Sequence, residues 1–368
     1  MKPIPFMPLG AITARRAEEL KAAAARVIDS GRYINGPEVA AFERELAAKC
    51  GVKYAVGVSN GLDALRLIFR AYIAMGLLHE GDEVIVPANT YIASVLAVTD
   101  SRLRPVFVEP DPSTMNLNLS LLPQALTPRT RAIMVVHLYG TPCWSSELER
   151  IAAERSLLIV EDNAQAIGAL YGDRPCGSLG NAAGNSFYPT KNLGAIGDAG
   201  AVTTDDEQLA VTVRAIANYG SDRRYHNIYR GFNCRLDEMQ AALLRVNMRY
   251  LDEENSIRRA NAAFYADAIS NPLLELPASP AGATPVWHQY VVRCAQRDRL
   301  RQYLADHDIA TDVLYPTPPH LQPCYNEYAH LSLPIAERLS REEMSLPVSS
   351  ALTAEQAGYI ARTINDFR

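Results

Sequence analysis

Apolar residues arrive along the chain in two alternating rhythms. Short runs that are apolar almost throughout, at Tyr54–Val58, Glu83–Pro87, Pro105–Glu109, Ala132–Val136 and Leu157–Glu161, alternate with stretches whose apolar positions recur every three or four residues, at Leu62–Ala74, Ile92–Thr99 and Ser145–Arg155. The first pattern predicts strands buried on both faces and the second predicts amphipathic helices. Their alternation is that of an α/β domain with a mostly parallel sheet covered on both sides. Two helices are expected ahead of it, Thr13–Ser30 stopped by Gly31 and Pro37–Cys50 stopped by Gly51.

After Asp205 the rhythm changes. Glu207–Asn218 reads as a helix, Tyr219–Arg235 is polar, aromatic and basic, and Leu236–Ile269 reads as one long helix with a charged wet face. Further on come a strand at His288–Arg293, a helix near Arg297–His307, a proline-rich loop at Tyr315–Pro323 and a closing helix from Thr353. The expected division is a large α/β domain over 1–245, with a helical segment at 1–50, and a smaller α+β domain over 246–368.

Composition narrows the function. With 368 residues, 48 % of them hydrophobic, the chain can bury a large core, and a net charge of -5 argues against a general binder of nucleic acid or membrane surfaces. No apolar run approaches the ~20 residues that span a bilayer, and the first residues lack the apolar core of a signal peptide. Six cysteines without a CxxC pair and seven histidines without HExxH spacing give no metal site, and a reducing cytoplasm is the expected setting.

The candidate chemistry follows the strands, where ligands of such folds collect. Gly184–Tyr188 and Ala199–Thr204 read as strands around a loop that carries Pro189, Gly194, Gly197 and Lys191. On residue type alone Lys191 is a solvated lysine. Walled in by Phe187, Pro189, Leu193 and Ile196, its amine would be desolvated and free to attack a carbonyl, as a pyridoxal phosphate enzyme requires. The small-residue turn at Ser59-Asn60-Gly61-Leu62 passes from strand to helix and offers backbone N–H groups to a phosphate, though it also reads as an ordinary turn. Asp162 ends an apolar strand and is either a helix cap or the carboxylate that keeps a pyridine nitrogen protonated. Tyr91 could stack on a ring or join the core, and Ser186 could donate to a phosphate or be a neutral strand residue. Arg223, Arg224 and Tyr225 form a basic and aromatic cluster suited to a diphosphate and a base, or a solvated charge run.

These residues sit in recognisable company. VSNGLDAL, GDEVIVPANTYIAS, VHLYG, VEDNAQAIGA, SFYPTKNLGAIGDAGAVTT, YGSDRRYHNIYRGFNCRLDEMQAA and YPTPPHLQPCY together resemble the DegT/StrS family of sugar-nucleotide aminotransferases, fold-type I pyridoxal phosphate enzymes of aspartate aminotransferase-like architecture. The likeness runs from about Tyr33 to Pro347, and ANTYIAS, PVFVEPDPSTMNLN and YGSDRRYHNIYRGFN resemble most the branch acting at C-3 of dTDP-3-oxo-6-deoxyhexoses.

The resemblance implies that Lys191 carries pyridoxal 5'-phosphate covalently, with pyridoxamine phosphate as the intermediate form, and that Asp162 pairs with the ring nitrogen. It places Gln165 beside the ring hydroxyl, Tyr91 over the ring face, and Asn60, Gly61, Leu62 and Ser186 at the phosphate, with Asn233 reaching the phosphate from a second subunit of a homodimer. It implies substrate contacts from Tyr188, Arg223, Arg224, Tyr225 and His320. The implied reaction moves the amino group of L-glutamate to a nucleotide-linked keto sugar, on a dTDP-3-oxo sugar or alternatively a UDP-3-oxo or 4-oxo one. A non-catalytic sensor on the same fold and a sugar 3-dehydratase are rivals, and the second is opposed by Lys191, since dehydratases of this kind carry histidine there. The chain departs from many relatives at Leu314, where they carry histidine, and at Leu346–Ser350.

Overall fold

The computed structural model describes residues 3–368. Its centre is a seven-stranded sheet of β1 (Tyr54–Val58), β2 (Glu83–Pro87), β3 (Arg104–Val108), β4 (Thr130–Val136), β5 (Leu158–Asp162), β6 (Ala182–Ser186) and β7 (Gly200–Thr204), in the order β1-β7-β6-β5-β4-β2-β3. Strands β3, β2, β4, β5 and β6 pair in parallel, and β7 runs antiparallel to both β6 and β1. Consequently β1, β5 and β6 all point their carboxyl ends at one edge of the sheet.

Period-two alternation explains why these runs are apolar throughout. Val84, Val86, Ala132, Met134 and Val160 face one layer, packed with Leu65, Ile68 and Phe69 of the helix Gly61–Ala74. Ile85, Ile133, Val135 and Ile159 face the other, with Trp144, Leu148 and Ile151. Each strand therefore needs apolar side chains at both parities. Gly184 brings the Gly61–Ala74 helix close to β6, since a Cβ there would lie 2.7 Å from Leu65 Cδ2. This fold is the mixed α/β architecture expected of a fold-type I transferase.

A second core gathers Tyr265, Tyr290, Val292, Leu300, Leu304, Leu346, Ile360 and Ile364 around an antiparallel strand pair, Tyr290–Arg293 with Glu343–Leu346. Ile4 joins this core and bridges to Ile309, so the first described residues pack with the last third of the chain.

Two expected helices are each divided. The expected Leu236–Ile269 helix is two, Glu238–Met248 and Leu251–Ala268. The reason is that they serve different cores: Leu243 and Val246 pack with Leu20 and Val27, whereas Ala262 and Tyr265 belong to the second core. Thr13–Ser30 likewise appears as Leu9–Ala14 and Ala17–Ser30, parted where the buried Arg16 turns to reach Asn247 at 3.3 Å and Glu254. No described helix is long and apolar enough to cross a membrane.

Candidate active site

A cavity of about 570 Å³ opens at the sheet edge where β1, β5 and β6 end, and Asn60, Gly61, Leu62, Tyr91, Asp162, Gln165, Ser186, Tyr188 and Lys191 all line it. The sequence-separated candidates thus meet in one place. At its phosphate end, Asn60 caps the Gly61–Ala74 helix by accepting from the Asp63 N–H at 2.8 Å. The amides of Gly61 and Leu62 precede that capped position and face the cavity at the positive helix end. A Cβ on Gly61 would sit 2.6 Å from Ser186 Cβ, so glycine keeps this cradle open.

At the other end, Asp162 is buried, and burial raises its pKa. Ser94 opposes that shift by donating from Oγ to Asp162 Oδ2 at 2.7 Å, and the Ala164 N–H donates to Oδ1 at 3.1 Å. Ser94 is itself hydrogen-bonded to Thr90 Oγ1 at 2.8 Å. The two hydrogen bonds favour the charged form against burial and orient the carboxylate, as a partner for a ring nitrogen must be. Lys191 lies on the hairpin loop between β6 and β7, and desolvation brings its amine down to about 8 against the upward pull of Asp162.

Aromatic residues form the remaining wall. Gln165 accepts from the Tyr139 N–H at 2.5 Å and donates to Tyr315 Oη at 2.8 Å, so both ends of its amide are fixed. Tyr315 stacks on Tyr139 with ring centroids 6.1 Å apart and lies 5.9 Å from the half-exposed Tyr91. Leu314, His288, Gln289 and Asp198 also line the cavity. Sequence reading gave no role to Ser94, Tyr139, Tyr315 or His288. Ser94, Tyr139 and Tyr315 each stood within a quoted motif, ANTYIAS, VHLYG and YPTPPHLQPCY, and that company is the signal that could have found them.

Five candidates lie outside this cavity. Arg223 ends the first strand of an exposed hairpin, Ser221–Arg223 with His226–Asn227, whose turn carries Arg224 and Tyr225, with the Arg224 guanidinium 4.9 Å from the Tyr225 ring centre. Asn233 is exposed and bridged to Asn218. His320, expected near the substrate, is instead fully buried beside Phe107, with Nε2 3.4 Å from Glu337. Ile196, expected to wall in Lys191, is half exposed. Among the described residues no group of three or more His, Cys, Asp or Glu side chains is arranged to hold a metal.

Pyridoxal 5'-phosphate fits the groups present. The cavity supplies a desolvated amine, a buried and hydrogen-bonded carboxylate, and a glycine cradle at a helix N-terminus, which are the partners its aldehyde, ring nitrogen and phosphate require.

Comparison with known proteins agrees with this chemistry. The profile of the DegT/DnrJ/EryC1/StrS aminotransferase family matches residues 14–365. The chain is 48 % identical over 364 residues, covering 99 % of each protein, to the dTDP-3-amino-3,6-dideoxy-alpha-D-galactopyranose transaminase of Aneurinibacillus thermoaerophilus. The crystal structure of Streptomyces venezuelae DesV in complex with a ketimine intermediate superposes with a TM-score of 0.95 at 45 % identity, covering 100 % of this chain and 98 % of that one. NtdA from Bacillus subtilis, solved with bound cofactor PMP, superposes with a TM-score of 0.90 at 30 % identity, covering 99 % and 85 %. The chain therefore belongs to the DegT/DnrJ/EryC1/StrS aminotransferase family of pyridoxal phosphate-dependent enzymes.

Proposed function

We propose that the enzyme transfers the amino group of L-glutamate to C-3 of a dTDP-3-oxo-6-deoxyhexose, giving a dTDP-3-amino-3,6-dideoxyhexose. The observation that carries this reading is the convergence of Lys191, Asp162 and the Asn60–Gly61 turn in one cavity. The choice of sugar draws support from the 48 % identical dTDP-sugar transaminase.

When bound, pyridoxal phosphate supplies an electron-accepting ring that stabilises the charge left on a carbon as it loses a proton. Asn60, Gly61, Leu62 and Ser186 would hold its phosphate. Asp162 keeps the ring nitrogen protonated, and Ser94 keeps Asp162 ionised. Gln165, clamped by Tyr139 and Tyr315, would orient the cofactor ring, and Tyr91 would pack against it.

Lys191 would hold the cofactor through its amine, and the freed amine would take the proton from the glutamate Cα as base and give it back as acid. With its pKa brought down to about 8, about a tenth of the amine is unprotonated at pH 7, so it can serve as base and as acid. The same shuttle in reverse places a proton on C-3 of the sugar.

Tyr188 and Leu314 face the sugar. Leu314 replaces a polar contact with an apolar wall, which suits a deoxygenated sugar edge. Arg223, Arg224, Tyr225 and Asn233 reach the nucleotide and phosphate from the second copy of a homodimer, since their own chain keeps them out of its cavity. His320, buried against Phe107, has no part in this assignment. The setting is the cytoplasm, where the six free cysteines stay reduced, and the product supplies an amino sugar for a glycan such as lipopolysaccharide O-antigen or for a natural product.

Mass spectrometry of products tests this directly. L-Glutamate and dTDP-3-oxo-6-deoxyhexose made in situ are expected to give the dTDP-amino sugar and 2-oxoglutarate. Turnover confined to UDP-linked or 4-oxo sugars would replace the substrate, and no turnover of any keto sugar would favour a sensor.

A further inference from the structure

Asn192 follows Lys191 in the chain, and its buried side chain is engaged on every side. The orientation begins at Asn255, on the helix Leu251–Ala268, which donates from Nδ2 to the Ile167 carbonyl at 3.1 Å and so turns its Oδ1 toward Asn192. Asn192 Nδ2 donates to that Oδ1 at 2.7 Å and to the Val286 carbonyl at 3.1 Å. Its own Oδ1 is left as an acceptor, and the partner is His288 Nδ1 at 3.1 Å. An amide oxygen cannot donate, so Nδ1 must carry the proton. Two backbone carbonyls thus fix both amides and, through them, the imidazole tautomer.

The ring is also kept neutral. His288 is buried, and burial, then the charges of Lys191 and Arg258, hold its pKa well below the usual histidine value. Arg258 sits behind it, donating to the Trp287 and His288 carbonyls at 3.4 Å each. A neutral ring protonated at Nδ1 carries a lone pair on Nε2. His288 lines the same cavity as Lys191, and with Nδ1 committed to Asn192 the nitrogen left over is Nε2. The Lys191 amine has up to three donors and no hydrogen-bond partner among the described residues, while the Asp162 oxygens already accept from Ser94 and Ala164. His288 and Lys191 therefore line one cavity, each with a hydrogen-bonding atom not committed elsewhere, and no hydrogen bond joins them in this structure.

We propose that His288 is a positioning residue for Lys191, its Nε2 accepting a hydrogen bond from the Lys191 ammonium when pyridoxamine phosphate occupies the cavity and leaves that amine free. The inference rests on Lys191 being the cofactor-bearing lysine. Held this way, the amine stays aimed at the reacting carbons between its two proton transfers. Because the ring is hydrogen-bonded to Asn192, the residue after Lys191, it is tied to the loop that carries the amine.

Two isosteric replacements separate this role from a structural one. In His288→Asn the side-chain amide can still donate to Asn192 from the place of Nδ1, but nothing occupies the place of Nε2. In His288→Gln the amide oxygen stands near Nε2 and the Asn192 contact is lost. Full-length protein loaded with pyridoxamine 5'-phosphate, in which Lys191 has no bond to the cofactor, is acetylated across a pH series and the Lys191 modification is read by mass spectrometry. A hydrogen bond to the ammonium favours the charged form. His288→Asn is therefore expected to lower the Lys191 midpoint by about one pH unit and to slow the glutamate half-reaction about tenfold. His288→Gln should stay close to wild type in both. His288→Gln falling as far as His288→Asn, or His288→Asn keeping the wild-type midpoint, would overturn the proposal. Borohydride reduction of the pyridoxal phosphate form checks the underlying reading separately: a label on another lysine would remove Lys191 from its role and His288 with it.

Discussion

Asp162 shows how the site depends on single hydrogen bonds. Its burial favours the neutral acid, and the Ser94 hydroxyl works most strongly against that. Losing a hydrogen bond to a charged group costs about 1.5–3 kcal/mol. Ser94→Ala should therefore slow the glutamate half-reaction about 10- to 100-fold, read by stopped-flow absorbance, and an unchanged rate would mean that Ser94 does not hold Asp162 ionised. Lys191 makes a second prediction through linkage. Its folded pKa of about 8 lies below the unfolded 10.5. Between these values the unfolded chain binds more protons, so on this account stability rises with pH across that window. Cofactor-free protein should gain stability from about pH 8 to about pH 10.5, and Lys191→Met should lose that gain in denaturant titrations. Sequence located Lys191 and Asp162 because both follow apolar strands. Hydrophobic pattern could not locate Ser94, because a serine on an amphipathic helix carries no mark of what faces it in space.

At the scale of elements, strands were the most legible. Tyr54–Val58 and Glu83–Pro87 have the bounds that their apolar runs predict, since a strand buried on both faces leaves no polar position inside it. The helices around Arg16 and Tyr250 were not legible as pairs. The apolar period continues across each break; the existence of two cores decides where the helices part at Tyr250, and the contacts of Arg16 with Asn247 and Glu254 decide it at Arg16. The turn before the Gly61–Ala74 helix was read as a phosphate seat, and its geometry gives that reading a sharp test. Gly61→Ala would put a Cβ 2.6 Å from Ser186 Cβ, a contact that must push the turn or the serine aside. Cofactor affinity, measured by fluorescence titration of the cofactor-free protein, should fall at least tenfold while the melting temperature moves little. An unchanged affinity would remove Gly61 from the phosphate site. The hairpin at 221–227 carries the basic and aromatic residues that its sequence marks, and none of them lines the cavity of its own chain.

At the scale of the molecule, Glu343 joins the two cores. It lies in the Glu343–Leu346 strand beside the second core, and it accepts from Tyr139 Oη at 2.7 Å and from Asn89 Nδ2 at 3.1 Å in the sheet region. Burial raises its pKa to about 7, against the hydrogen bonds of Tyr139 and Asn89 and the charges of Arg293 and Arg297. The folded protein then binds the extra proton between pH 4.5 and about 7, so this group's contribution to stability falls as pH rises through that window. Glu343→Gln should flatten the decline, a difference on the order of 3 kcal/mol across the window, measured by urea unfolding at its two ends. Tyr139 also touches Gln165 and Tyr315, so the same junction that joins the cores sets one wall of the cavity. No sequence pattern could show this, because Asn89, Tyr139 and Glu343 become neighbours only when both cores have formed. The central claim, that Lys191 holds pyridoxal phosphate and passes an amino group from glutamate to a dTDP-keto sugar, is tested most directly by the visible spectrum of the purified enzyme. The yellow lysine-bound cofactor should bleach on adding L-glutamate and regain its colour on adding dTDP-3-oxo-6-deoxyhexose. A protein that takes up the cofactor without colour, or bleaches and never recovers with the keto sugar, would contradict it.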